Sequence, residues 1–192
     1  MATEYEWKFQ ATQENLSAIG AAFSETPVKF SMETTYYDTP TGALSDRHYT
    51  LRRRFENGES ICTLKTPAGN ARWEFEVRCE NIGDAIAQFP AMGCPEDFAG
   101  LAQEGVAPIC GAKFTRIAKT VVMPECTVEL ALDEGILIGG GREIPLCEVE
   151  VELKDGDVRF CDLFAKTLAA RFGLKVEKKS KFRRALDLYR GE

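Results

Sequence analysis

The chain has 192 residues, enough for one domain with a sizeable core, and its composition fits neither a disordered nor a fibrous protein. A net charge of -6 argues against a general binder of nucleic acid or anionic membrane, and one histidine, His48, leaves no material for histidine triads or multi-histidine metal sites. Seven cysteines, odd in number and without a CxxC pair, fit neither a disulfide framework nor a zinc site, and no apolar run is long enough to cross a bilayer. A single cytoplasmic domain over residues 1–192 is expected, with reduced and mostly buried cysteines.

The opening stretch MATEYEWKF alternates Glu4, Glu6 and Lys8 with Tyr5, Trp7 and Phe9, which on a strand gives one charged and one aromatic face. In TQENLSAIGAAF, Thr12 caps a short helix whose Leu16, Ile19 and Phe23 form an apolar stripe. A second extended run ends at the turn in TTYYDTPTG. HYTLRRRF, ICTLKTP and ARWEFEVRC then follow as a meander through the turns ENGES and AGN. From Asn81 to about Glu104 the pattern is helical, broken by Pro90, Pro95 and Gly100. Strands resume at KFTRIAKTVVM, TVELALD, GILIG and IPLCEVEVELK, divided by Pro124, a turn at Asp133-Glu134-Gly135, and Gly139-Gly140-Gly141. A helix over about Asp157 to Phe172 and a short terminal helix within KKSKFRRALDLYR complete the chain.

The opening alternation recurs. Arg72, Glu74, Glu76 and Arg78 oppose Trp73, Phe75, Val77 and Cys79; Glu129 and Asp133 oppose Val128, Leu130 and Leu132; Glu148, Glu150 and Glu152 oppose Val149, Val151 and Leu153. Arg52 and Arg54 stand opposite Leu51, Arg53 and Phe55, a less clean case. Two architectures fit: a flat sheet whose charged face meets water, or a closed barrel whose charged face lines a lumen. In the second, three glutamates on one strand repel one another unless water or a cation intervenes, and a hard divalent ion resolves that conflict.

Glu4-x-Glu6-x-Lys8 resembles the ExExK signature of the CYTH domain, or triphosphate tunnel metalloenzyme, superfamily. The resemblance continues in order through Tyr36-Tyr37-Asp38-Thr39, Leu51-Arg52-Arg53-Arg54, Thr63-Leu64-Lys65, Arg72-x-Glu74-x-Glu76, Lys113 to Arg116, Glu129 with Asp133, Glu148-x-Glu150-x-Glu152 and Ser180-Lys181. It implies an α+β fold, a closed eight-stranded antiparallel barrel with helices packed on its outside, that binds a small-molecule triphosphate in its tunnel and hydrolyses it with Mg2+, Mn2+ serving as a substitute. By motif position, Lys8, Arg52, Arg54, Lys65, Arg72, Arg116 and Lys181 would bind phosphate, with Lys179 a weaker candidate. Glu4, Glu6, Glu148 and Glu150 would hold the metal, with Glu152 and Glu129 nearby. Lys65, Tyr36 and Glu150 are the candidate catalytic groups; in the thiamine-triphosphatase branch the matching Tyr pairs with the Lys of the LK motif.

Several residues have blander readings. Trp7 and Trp73 belong on the outer apolar face, His48 on the surface, and Arg183 and Arg184 outside the site. Vertebrate thiamine triphosphatases carry a Trp where this chain has Thr50, so the resemblance points to inorganic triphosphate. A thiamine triphosphatase, a class IV adenylate cyclase and a noncatalytic polyphosphate or nucleotide sensor stay open as alternatives.

Overall fold

A computed structural model describes residues 5–68 and 71–192. Nine strands form one antiparallel sheet: β1 (Glu6–Gln10), β2 (Val28–Asp38), β3 (Thr50–Glu56), β4 (Glu59–Ala68), β5 (Ala71–Arg78), β6 (Ala107–Val122), β7 (Cys126–Gly139), β8 (Arg142–Gly156) and β9 (Lys175–Val176). Their spatial order is β5-β4-β3-β2-β6-β7-β8-β1-β9. The sheet has nine strands where eight were expected, with β5 and β9 at the two ends of this order. No ladder joins those two among the described residues. The ninth strand is β9, which pairs with β1 at Phe9 and Gln10.

The outer face carries two helical layers. Helices α1 (Gln13–Ala22) and α5 (Val158–Phe172) cover β1, β7 and β8, burying Leu16, Ile19, Cys161, Ala165 and Leu168 against Phe9, Val128, Leu130, Val149 and Val151. Burial of each leucine, isoleucine, valine or phenylalanine among them contributes roughly 1.5–3 kcal/mol. Thr12 and Asn15 close a reciprocal capping box on α1 as its sequence predicts, Asn15 taking the place of the usual Glu or Gln. The second layer comprises α2 (Ala43–Asp46), α3 (Ile82–Gln88), a 3-10 turn at Phe89–Met92 and α4 (Glu96–Ala102), packed through Leu44, Phe89 and Phe98 on Leu51, Leu64 and Phe75. Helix α2 is not apparent in the sequence. Its amino-terminal Leu44 and Ser45 amides donate to the buried carboxylate of Asp38, which explains the aspartate in TTYYDTPTG.

Two further expectations are corrected. Residues 133–135 form no turn: β7 runs unbroken through them, and Gly135 lies against β6 so closely that an added Cβ would sit 2.1 Å from the Lys113 carbonyl oxygen. Asp133 thus stays in the strand and points to the charged face. The last helix, α6 (Lys181–Arg190), does not join the outer layers. It packs on β6 and β7 from the charged side, through Ala185 and Leu186 against Phe114, Leu137 and Leu146. The Gly139-Gly140 pair permits this contact, since a Cβ on Gly139 would lie 2.4 Å from the Ala185 carbonyl oxygen. All seven cysteines are free, and no helix among the described residues is long and apolar enough to cross a membrane.

Candidate active site

Cross-strand register arranges the charged face in rows. Gln10, Glu148, Asp133 and Arg116 align across β1, β8, β7 and β6; Lys8, Glu150 and Ala131 form the next row; Glu6, Glu152 and Glu129 form the third. Adjacent rows on one strand are about 7 Å apart. The rows divide the predicted carboxylates into two groups. Glu129 and Glu152 share Lys154, and Glu6 bonds Lys8 at 2.7 Å. Glu148 and Glu150 instead meet Asp133, with one carboxylate oxygen from each within 4.8 Å of the others. Glu4 lies outside the described residues.

The second group is deeply buried and heavily paired. Arg116 donates from Nε and Nη2 to the two oxygens of Asp133, at 2.8 and 2.7 Å, and also to Glu150. Lys181 reaches Asp133 at 2.8 Å, Glu150 at 2.7 Å and Glu148. Arg184, which the sequence reading left outside the site, pairs with Glu148. Three carboxylates thus meet three cations. Burial pushes Glu148 up to about 7, reinforced by Glu150 and opposed by Lys181 and Arg184. Burial also acts to raise Glu150, but Lys181 and Arg116 outweigh it and hold that carboxyl well below the usual range. The cations respond in kind: burial works against charge on Lys181, and Glu150, Asp133 and Glu148 more than restore it, raising its pKa.

Across β2 the balance changes. Tyr36 pairs in register with Arg52, and Thr34 with Arg54. Both arginines have a buried Nε without a hydrogen-bond partner. Among the described residues Arg52 has no ion pair, and the nearest carboxylate to Arg54 is Glu56 at 3.9 Å. Repulsion from Arg52, then burial, lowers Arg54 to about 10, so it stays charged at neutral pH. Tyr36 is buried, which raises its pKa and keeps the phenol protonated; its ring packs on Phe182 of α6 with centroids 4.9 Å apart. Lys65 is paired with Glu74 of β5, and Arg72 donates to the Thr50 hydroxyl at 3.4 Å. The structure therefore sets Tyr36 beside Arg52 and gives Lys65 a β5 carboxylate. Lys179 bonds Asp187 at 2.7 Å within the α6 region.

Two residues of this site escaped sequence reasoning. Asp133 was noted for its alternation but assigned no role, because a turn was read over it. Arg184 carried one usable signal: it falls three residues after Lys181, which places both on the same side of a helix.

The CYTH domain family matches residues 2–186. This chain belongs to the CYTH domain family. Over 156 residues, 78% of the chain, it is 31% identical to the inorganic triphosphatase of Haemophilus influenzae, and the match covers 44% of that protein. It is 32% identical over 82 residues to Bacillus subtilis YjbK, covering 42% of this CYTH chain and 43% of the relative. The chain thus spans less than half the length of these two relatives. In fold, it resembles Hippeastrum HpAC1, described as having a dominant triphosphatase activity, with a TM-score of 0.65 and 18% identity over all of this chain and 96% of that one.

Proposed function

We propose that the charged face of this CYTH domain binds inorganic triphosphate and hydrolyses it with a divalent cation, Mg2+ or in its place Mn2+. The observation that carries this reading is that one sheet holds two charged groups: buried carboxylates on β7 and β8, and underpartnered guanidiniums on β3. The matching family and the triphosphatase relatives support it.

Arg52 and Arg54 are suited to a polyanion because their charges repel each other until an anion lies between them. Arg72, Lys65, Lys8, Arg116 and Lys181 border the same face and supply further donors. Tyr36, kept protonated by burial, lies beside Arg52, where its hydroxyl would donate to a bound anion. The oxygen-only donor set of Glu148, Glu150 and Asp133, extended along the face by Glu152, Glu129 and Glu6, fits a hard divalent ion, with Glu4 contributing by motif. Such an ion would screen the carboxylates and polarise phosphoryl oxygens and water. Glu150 remains ionised there, so it serves as a fixed negative charge. Glu148, whose pKa burial raises in the absence of a cation, is the member of the trio that a bound divalent ion would stabilise most in its charged form.

Thr50 supports a compact substrate, because its hydroxyl engages Arg72 and offers no aromatic face to an organic ring. The test is phosphate release from inorganic triphosphate, thiamine triphosphate and ATP, each with Mg2+ and with excess chelator. Inorganic triphosphate should give the highest kcat/KM and chelation should abolish turnover. Undiminished hydrolysis in chelator would overturn the mechanism, and a preference for thiamine triphosphate would overturn the substrate.

A further inference from the structure

The strand that carries Glu6 and Lys8 is weakly held on one side. Along β1, all five residues pair with β8, but β9 pairs only with Phe9 and Gln10. One further backbone bond, from the Glu177 amide to the Lys8 carbonyl, extends that support by a single residue. The segment at Glu6 and Trp7 therefore has no second neighbouring strand among the described residues. Its outward side chains are fastened by a residue from the helix above. The Asp162 carboxylate on α5 accepts from the Tyr5 hydroxyl at 2.5 Å and from Trp7 Nε1 at 2.8 Å. Lys166, one helical turn later, approaches Asp162 at 3.6 Å and lies over the Trp7 ring, 5.6 Å from its centroid.

We infer that Asp162 is a positioning residue: by binding Tyr5 and Trp7 it sets the orientation of Glu6 on the opposite face of β1. The argument is geometric. Tyr5 and Trp7 flank Glu6 in sequence and point the other way. The ladder to β8 holds one edge of β1 only, so its other edge can still twist at Glu6; two attachments, on both sides of Glu6, restrain that twist. The anchor is itself rigid, since α5 buries Cys161, Ala165 and Leu168 in the core beside Asp162. Both bonds are charge-assisted, and the Tyr5 contact followed by that of Trp7 holds Asp162 below its usual pKa.

Another outer aspartate provides a matched comparison. Asp97 on α4 accepts from the Tyr49 hydroxyl at 2.8 Å, next to Thr50 and Arg52 on the basic side. It fastens a helix to a strand by the same chemistry but far along the sheet order from Glu6.

The inference rests on the proposed metal role of Glu6, so the experiment includes Glu6→Gln. The full-length chain and its Asp162→Ala, Asp162→Asn, Asp97→Asn and Glu6→Gln variants are assayed with inorganic triphosphate across a Mg2+ titration, with Tm recorded for each. Glu6→Gln and Asp162→Ala should each raise the Mg2+ concentration for half-maximal rate about fivefold or more. Under saturating Mg2+, Asp162→Ala should keep its KM for triphosphate within about twofold of the parent. Asp162→Asn, which retains one acceptor oxygen, should fall between Asp162→Ala and the parent, and it carries the test if the alanine variant does not fold. A shift in Glu6→Gln without one in the Asp162 variants overturns the positioning role alone. No shift in Glu6→Gln overturns both it and the metal reading beneath it. An equal Mg2+ shift in Asp97→Asn would show a general effect of loosened helices and likewise overturn it.

Discussion

The acidic wall of β7 and β8 and the basic wall of β3 are built from the same strand alternation, yet they are electrostatically different. Asp133, Glu148 and Glu150 are matched by Arg116, Lys181 and Arg184, so the acidic wall is neutralised from within the chain. Arg52 and Arg54 face each other's charge without comparable relief. On the proposed function, the difference teaches which wall is ready for a ligand. The basic wall would gain by accepting an anion as it stands, whereas a cation entering the acidic wall would have to compete with Arg116 and with the two side chains of α6. Opposite charges alone do not make equivalent sites.

The comparison would be broken most directly at Glu150, which touches both Arg116 and Lys181. Glu150→Gln is expected to lower Mg2+-dependent kcat on triphosphate by about 100-fold or more, an effect of the size seen when one preorganised charge is removed from a reacting centre. Steady-state phosphate release at saturating Mg2+ checks this; normal turnover would remove Glu150 from the chemistry.

Next in size is Gly139→Val, which sharpens the comparison by acting on one wall only. The added side chain meets the backbone of Ala185 and Tyr189, so α6 must move and withdraw Lys181 and Arg184 from the carboxylates. Overpacking of this kind costs about 1–3 kcal/mol, read as a fall in Tm. A variant as stable as the parent would show that α6 is not held by this contact.

A smaller effect is expected on the basic side. Arg52→Ala should raise the KM for triphosphate about tenfold, the loss of roughly one charge-assisted contact worth about 1.4 kcal/mol. Its Tm should hold or rise, because the substitution removes the repulsion that lowers Arg54. A large loss of Tm with unchanged KM would make Arg52 a structural residue and erase the contrast.

The smallest is the pH dependence of Glu148. Its folded pKa of about 7 lies above its ordinary 4.5, so between those values the folded state retains a proton that the unfolded state releases. Its contribution to stability is therefore present below pH 4.5 and lost as pH rises through 7. Glu148→Gln has no such loss. In chelator, its unfolding free energy relative to the parent should improve from pH 5 to pH 8 by about 1 kcal/mol or more, read as a gain in Tm. A difference that shrinks with rising pH would reverse the sign and place Glu148 with Glu150 as a carboxylate stabilised by its partners.

Much of this was readable from the chain. The two-residue alternation separated Glu148, Glu150 and Glu152 from Val149, Val151 and Leu153, and the structure buries Val149 and Val151 under α1 and α5 as that pattern requires. The helix stripes and the cap at Thr12 also appear where the residues place them. Asp133 was missed because Asp-Glu-Gly is a common turn sequence. Here Gly135 answers a different need, the close approach of β6 to a continuous strand. Helix α2 was missed because its cap, Asp38, lies several residues before it.

By itself, then, the sequence determined which side of the charged strands is charged, where α1 and α5 begin, and the ordered motifs that mark a CYTH domain, because these depend on local periodicity and residue type. Only the tertiary structure decided that a ninth strand pairs with β1, that α6 lies on the charged face, and that Arg184 and Asp133 join the acidic wall. Those outcomes depend on which distant surfaces approach. Alternation specifies a face but not what will occupy it, and the close seating of α6 on Gly139 is a contact between residues more than forty positions apart.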